Sequence, residues 1–203
     1  TAREKGLYSF VSLRGSVTMP PADYGAGFEL MFVQDDTAGI GVALAESIAG
    51  SVGEVEIGQV VNVRGTLGDF NGLLLVNVTS ASDIETTGAQ LFISPAAVET
   101  SQLGEATEGR LVSVRGRLNY TALPDRYYFS LETGEGNATV YLLPSLGLNP
   151  DTIASLYHNR TVELRAIVSQ YDESFLRDSG YELLPRIIGD FDLAEDKKSG
   201  SRT

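Results

Sequence analysis

The sequence predicts an all-β chain made of two tandem five-stranded units, and three observations carry that prediction. Apolar and polar residues alternate over short runs, the pattern of half-buried strands. Two blocks recur at one offset: Phe10-Val-Ser-Leu-Arg-Gly-Ser-Val17 resembles Leu111-Val-Ser-Val-Arg-Gly-Arg-Leu118, and Val61-Asn-Val-Arg-Gly-Thr-Leu67 resembles Val162-Glu-Leu-Arg-Ala-Ile-Val168, each pair 101 residues apart. A complete helix signature occurs only once. A shared offset argues for a duplicated unit of about 100 residues rather than for two chance strands.

In the first unit Val11, Leu13 and Val17 share one parity around Gly15, while Ser12, Arg14 and Ser16 share the other. Val61, Val63 and Leu67 repeat this pattern and leave Arg64 on the outward parity. The Asn71-Gly72 step then marks a tight turn before a strand over Leu73 to Val78. In the second unit strands are expected near 110–118, 126–132, 137–142, 161–170 and 181–188. Between its third and fourth strands Asn149 caps a short helix, Pro150 fits the first turn, and Ile153, Ala154, Leu156 and Tyr157 form the apolar side. The matching place in the first unit, Leu44 to Gly50, is short enough for a single turn or a loop. Each unit closes on a hairpin-like stretch, Ser82-Asp-Ile84 or Gly189-Asp-Phe191. The expected boundaries are 8–85 for the first unit, 86–108 for an ordered connector, 109–193 for the second unit and 194–203 for a flexible tail. Within the connector Leu91-Phe-Ile93 is expected as a strand and Pro95 as the start of a helix running to Leu103.

A strand, glycine and turn pattern of this kind resembles the OB-fold. More narrowly, Arg14-Gly15, Phe32-Val-Gln-Asp-Asp-Thr-Ala-Gly-Ile40, Val61-Asn-Val-Arg-Gly65 and Asp69-Phe-Asn-Gly-Leu73 resemble the OB-fold modules attached to secreted bacterial nucleases and phosphoesterases. The second unit departs from that pattern, with Ala166 in place of the strand-four glycine and Glu132-Thr-Gly134 in place of the Asp-x-Thr turn. The resemblance spans residues 8 to 193 and implies two tandem OB-fold barrels. It also implies a noncatalytic accessory module that binds either single-stranded nucleic acid or a partner protein. An extracellular or cell-envelope location goes with it, with catalysis left to an adjacent domain.

Composition narrows the chemistry. The chain of 203 residues has 15 basic and 27 acidic residues, a formal charge of −12 and pI ≈ 4.4, which opposes nonspecific nucleic-acid or anionic-membrane binding. That imbalance is uneven: residues 1–105 carry 4 basic against 13 acidic side chains, and residues 106–203 carry 11 against 14. Cysteine is absent, so disulfides, thiolate metal sites and cysteine nucleophiles are excluded. No apolar run approaches the roughly 20 residues that span a bilayer, so no membrane insertion is expected. Thr1 is preceded by neither methionine nor leader, and the chain is expected to be a piece of something longer.

The chain lacks a Walker loop, a dinucleotide fingerprint and a His-Glu-x-x-His motif. Its single histidine, His158, follows the predicted helix and reads as a helix-end residue. Asp35-Asp36-Thr37 reads as a turn whose carboxylate caps its own backbone rather than as a calcium loop. No enzyme constellation, cofactor or metal is therefore expected.

For single-strand binding the second unit has the better inventory, with Arg115, Arg117, Arg126, Arg160, Arg165, Arg177 and Arg186 beside Tyr120, Tyr127, Tyr128, Phe129, Tyr141 and Tyr171. If Phe129 and Leu131 fill the barrel, alternation sends Tyr127 inward and Tyr128 outward. Tyr120, Arg126 and Tyr128 are accordingly the expected nucleic-acid-binding residues. The repeated arginines, Arg14 with Arg64 and Arg115 with Arg165, are expected as neighbours on an outer face, serving scaffold ion pairs. A partner protein is the competing reading, through the loops 20–27, 35–39 and 171–180. In the last of these Phe175 and Leu176 are expected to fold back onto the barrel more than to form a binding tip.

Overall fold

The computed structural model describes residues 2–122 and 127–194. In chain order the first unit runs β1 (Phe10–Asp23), β2 (Phe28–Gln34), β3 (Gly39–Ala45), β4 (Gln59–Phe70), β5 (Leu73–Val78) and β6 (Ile84–Gln90). The second runs β7 (Ala96–Ala97), β8 (Leu111–Ala122), β9 (Tyr127–Thr133), β10 (Gly136–Val140), α1 (Pro150–Tyr157), β11 (Arg160–Gln170), β12 (Tyr181–Leu184) and β13 (Phe191–Leu193).

The first strand of each unit is long because it serves two partners. β1 pairs with β4 through Phe10–Ser16 and with β2 from Ser16 onward, and β8 pairs with β11 through Leu118 and with β9 from Arg117 onward. A glycine stands at each corner. A Cβ on Gly15 would lie 2.9 Å from the Gln34 carbonyl oxygen, and one on Gly116 would lie 2.6 Å from that of Glu132, so only glycine lets the second strand approach there. The order around each barrel is 1-2-3-5-4 with the fourth strand returning to the first, and the third and fifth strands are parallel in both. Both units are thus closed five-stranded barrels of OB-fold topology. Their registers correspond as well: Gly15 lies opposite Val61, and Gly116 opposite Val162.

Asn149 caps α1 as its sequence predicts, its Oδ1 accepting the Thr152 amide at 2.9 Å. In the first unit the same position holds one 3-10 turn, Glu46–Ile48. The connector differs from the sequence expectation. Its strand is β6, which ends at Gln90 and extends the first sheet by pairing with β4, so Leu91-Phe-Ile93 is not a strand. The helix expected from Pro95 is replaced by β7 and a 3-10 turn at Thr100–Gln102, where the Glu99 amide donates to Gln102 Oε1 at 2.8 Å. Val98 and Leu103 pack on the second barrel's core from extended backbone, which leaves no apolar face to stabilise a longer helix. β12 stops at Leu184, before Pro185, so the strand expected to 188 is short.

Each barrel is filled by its inward parity: Val11, Met31, Val33, Val61 and Leu67 in the first, Val114, Phe129, Leu131, Leu164 and Leu183 in the second. A third cluster joins the barrels. Met19, Leu30, Phe32, Leu73 and Leu75 point out of the first barrel and meet Leu111, Leu143, Ile167 and Leu184 of the second. Gly39 and Gly109 form the tightest point of this junction, where a Cβ on Gly39 would fall 2.0 Å from the Gly109 oxygen. Polar ties flank the seam. Arg3 binds buried Glu108 at 2.8 Å, and Arg186, paired with Asp190 at 2.7 Å, donates to the Thr18 carbonyl at 2.9 Å. No helix among the described residues is long and apolar enough to cross a membrane.

Candidate nucleic-acid interface

OB-fold barrels take ligands on the face of strands two and three and on the loops joining strands one to two and four to five. In the first barrel that face is used up, because outward Leu30, Phe32 and Ala43 lie in the seam with the second barrel. In the second barrel the equivalent face, on β9 and β10, remains open. Along it Tyr128 is 44% exposed and Tyr141, just past β10, is 40% exposed. The Tyr128 hydroxyl lies 3.5 Å from Thr139 Oγ1 on the neighbouring strand.

The three expected site residues have different surroundings. Tyr128 faces outward, as alternation around buried Phe129 and Leu131 requires. Tyr120 has the inward parity at the barrel mouth, half-buried, with its ring 5.0 Å from Phe129 and 6.3 Å from His158. Arg126 lies outside the described residues. His158 accepts the Tyr120 amide on Nδ1 at 3.1 Å, which gives the lone histidine a scaffold contact.

Three of the arginines in the second unit's inventory are committed to carboxylates of the protein. Arg186 is buried with Asp190; Arg165 pairs with Asp192 and donates to the Gly189 carbonyl; Arg177 pairs with Asp69. Arg64 pairs with Asp83 at 3.4 Å. Of the repeated arginines, Arg64 and Arg165 are therefore in ion pairs, and the first pair stands in diagonal rather than opposed register: Arg14 faces Asn62, and Arg64 faces Ser12. Asp35 accepts the Thr37 and Ala38 amides at 2.8 and 2.9 Å, the self-capping turn expected of its sequence. No group of three or more metal-ligating side chains occurs among the described residues.

Beside the open face lies a cleft that sequence reasoning missed. The loop after β1 brings Tyr24 against Phe28, with ring centroids 5.4 Å apart, and both rings lie within 6 Å of Phe70. Asn71-Gly72, both at positive φ, then turns the chain, and the Asn71 carbonyl accepts the Asp172 amide at 2.7 Å. This clip draws Tyr171 to 6.5 Å from Phe70. Tyr24, Gly25, Ala26, Phe70, Tyr141, Tyr171 and Glu182 line a cavity of about 420 Å³ between the barrels. Burial pushes the Glu182 carboxyl up to about 7. The hydroxyls of Tyr24 and Tyr141 are also raised, by desolvation first and the Glu182 charge second. Tyr141 and Tyr171 stood in the aromatic inventory, but nothing local to the sequence joins them to Tyr24 or Phe70.

The far side of the cleft is the loop 171–180. Asp172 accepts hydrogen bonds from Ser174 and Ser179, which hold its carboxyl down at about 2. Phe175 at the tip is 99% exposed and Leu176 is 73% exposed, so they do not fold back as expected. The loop is braced at its base by Asp172 and Gln170, and that geometry leaves its tip without a surface to cover.

These features define a protein of two docked OB-fold barrels, of which only the second leaves its strand-two and strand-three face open. No family model matches the chain, and no curated protein matches it. Among solved structures it is similar to the p204 HINb domain, at 14% identity and TM-score 0.41 over 88% of this chain and 93% of that one. It is also similar to a murine DNA binding protein bound with double-stranded DNA, at 12% identity and TM-score 0.42 over 87% and 95%. A third is a Replication Protein A heterotrimer bound to single-stranded DNA, at 12% identity and TM-score 0.38, covering 94% of this chain and 52% of that one. Likenesses at this level carry no functional argument, and the fold rests on strand order and register.

Proposed function

We propose that the chain is a noncatalytic accessory module that binds single-stranded nucleic acid, mainly through the second barrel. The observation that carries this reading is the asymmetry of the two OB-fold faces: the first is buried in the seam, and the second is open with Tyr128 outward. An exposed ring on that face is a stacking platform for a base, and stacking tolerates any sequence. Tyr120, Arg126 and Tyr128 remain the proposed contacts, Tyr120 acting at the barrel mouth and Arg126 standing next to β9 in the sequence. Only three lysines occur, Lys5, Lys197 and Lys198, and this low content together with the resemblance to modules of secreted nucleases supports an extracellular setting beside a catalytic domain. The test is an anisotropy titration with labelled single-stranded and duplex DNA at low and physiological salt. Saturable single-strand binding that weakens with salt, and by about fivefold or more in Tyr128→Ala with Arg126→Ala, is expected. Absence of binding to DNA and RNA at low salt overturns the reading.

A second reading, docking of a partner protein, draws support from the exposed Phe175 and Leu176 tip and from the net charge of −12. Substituting both tip residues with serine separates the two, since nucleic-acid binding across β9 and β10 does not depend on them.

A further inference from the structure

The cleft between the barrels has chemistry of its own, apart from the open face. Four aromatic side chains, Tyr24, Phe70, Tyr141 and Tyr171, line it together with a single carboxylate. That carboxylate belongs to Glu182, only 9% exposed, and it makes no hydrogen bond or ion pair with another described residue. Lysine, arginine and histidine are all missing from the lining. The nearby cation of the loop, Arg177, is committed to Asp69.

We propose that this cleft binds an organic cation, an alkylammonium head that lies among the four rings with Glu182 as its counter-ion. Each alternative ligand class meets an obstacle. An anion meets the carboxylate, and a neutral apolar molecule leaves that carboxylate buried without a partner. A hard metal ion needs about six oxygen ligands, whereas the lining supplies one carboxylate. A bulky, weakly hydrated ammonium satisfies both halves of the site, because aromatic faces attract cations and the carboxylate neutralises the charge. The cavity of about 420 Å³ is of the size that small-molecule sites use. Five separate segments supply its walls: the β1–β2 loop, the end of β4, the residue after β10, the residue after β11, and β12. The site therefore exists only while the barrels are docked.

The titratable groups facing Glu182 are Tyr24, Tyr141 and Tyr171, and all three hydroxyls are raised from their ordinary value. They stay neutral across the working range, and Glu182 alone titrates. Cation binding favours its ionised form, so affinity rises as pH goes from 6 to 8 and binding near neutrality releases a proton.

The same head group occurs on free quaternary amines and on alkylated lysine side chains of a polypeptide, and the assay separates these sources. Isothermal titration of the whole chain with choline is compared with 3,3-dimethylbutan-1-ol, its uncharged carbon isostere, and with a short trimethyllysine peptide. Saturable choline or peptide binding is expected, with the isostere weaker by about tenfold or more. Tighter binding of the peptide identifies a polypeptide source, and tighter binding of choline a small-molecule one. Glu182→Gln removes the pH dependence, and Tyr171→Ala weakens binding with Glu182 intact. Equal binding of choline and the isostere, unchanged binding in Glu182→Gln, or no saturation by choline or peptide overturns the proposal. Tyr128→Ala leaves choline binding unchanged, so failure here is distinct from failure of the nucleic-acid reading. Thermal melts confirm that each variant is folded.

Discussion

Replacing Glu182 with glutamine keeps the shape of the side chain and removes its charge, which isolates the cost of burying that charge between the barrels. The carboxyl titrates at about 7 in the folded chain against 4.5 in the unfolded one, because burial disfavours the ionised form. Below pH 4.5 both states carry the proton and no cost arises. Between those values the unfolded chain ionises first, so folding stability is lost progressively, and above about 7 the whole penalty applies. At 1.36 kcal/mol per unit the penalty is about 3 kcal/mol. Glu182→Gln is therefore expected to be more stable than the wild type by about 3 kcal/mol at pH 8, and equal to it near pH 4.5. A domain of this size melts about 2–4 °C higher per kcal/mol, so the difference in Tm at pH 8 is roughly 6–12 °C. The assay is a pair of calorimetric melts across pH 4.5 to 8, read as the difference between the chains so that the other carboxylates cancel. A difference that is absent at pH 8, or that does not change with pH, refutes the burial argument.

Three further perturbations test the junction and the loop beside it. Arg186→Met leaves Asp190 buried without its cation and is expected to cost about 3–5 kcal/mol in urea unfolding, while the double change Arg186→Met with Asp190→Leu regains most of it. If the single change is neutral, the pair is not part of what holds the seam. Gly39→Ala drives a methyl into the Gly109 backbone and is expected to destabilise by about 1–3 kcal/mol, whereas Gly6→Ala, with open space around it, stays within about 0.5 kcal/mol. Asp172 is held at about 2 by the serine contacts, so the closure of its loop is present above the ordinary carboxylate range and lost as pH falls toward 2. Hydrogen exchange at the Ser174 and Ser179 amides should therefore speed up in Asp172→Asn at pH 5, and unaltered exchange there would show that other contacts hold the loop.

Much of the fold was legible because the relevant physics is local. Alternation around Gly15 and Gly116 gives the inward sets, Asn149 gives the helix start, and Asp35 with Thr37 gives a self-capped turn. All of these depend on residues within a few positions of one another. The connector was misread for the opposite reason. Leu91-Phe-Ile93 is more apolar than 84–90, yet β6 forms where backbone groups of β4 were available to pair with it. The loop tip at Phe175 and Leu176 misled similarly, since apolar character says nothing about whether a covering surface lies within reach.

The binding surfaces divide along the same line. Sequence by itself determined two repeated β-units and the side of each strand on which Tyr128 and Phe129 stand, and of the four arginines it assigned to scaffold ion pairs Arg64 and Arg165 form them. Only tertiary structure decided which OB-fold face stays open, because the outward residues Leu30 and Phe32 find their cover in Leu111, Ile167 and Leu184, far along the chain. It also made Glu182 unusual, for desolvation depends on everything packed around a group, and here that shell comes from both barrels. Alternation fixes the direction of a side chain, and what it meets there is a property of the docked molecule.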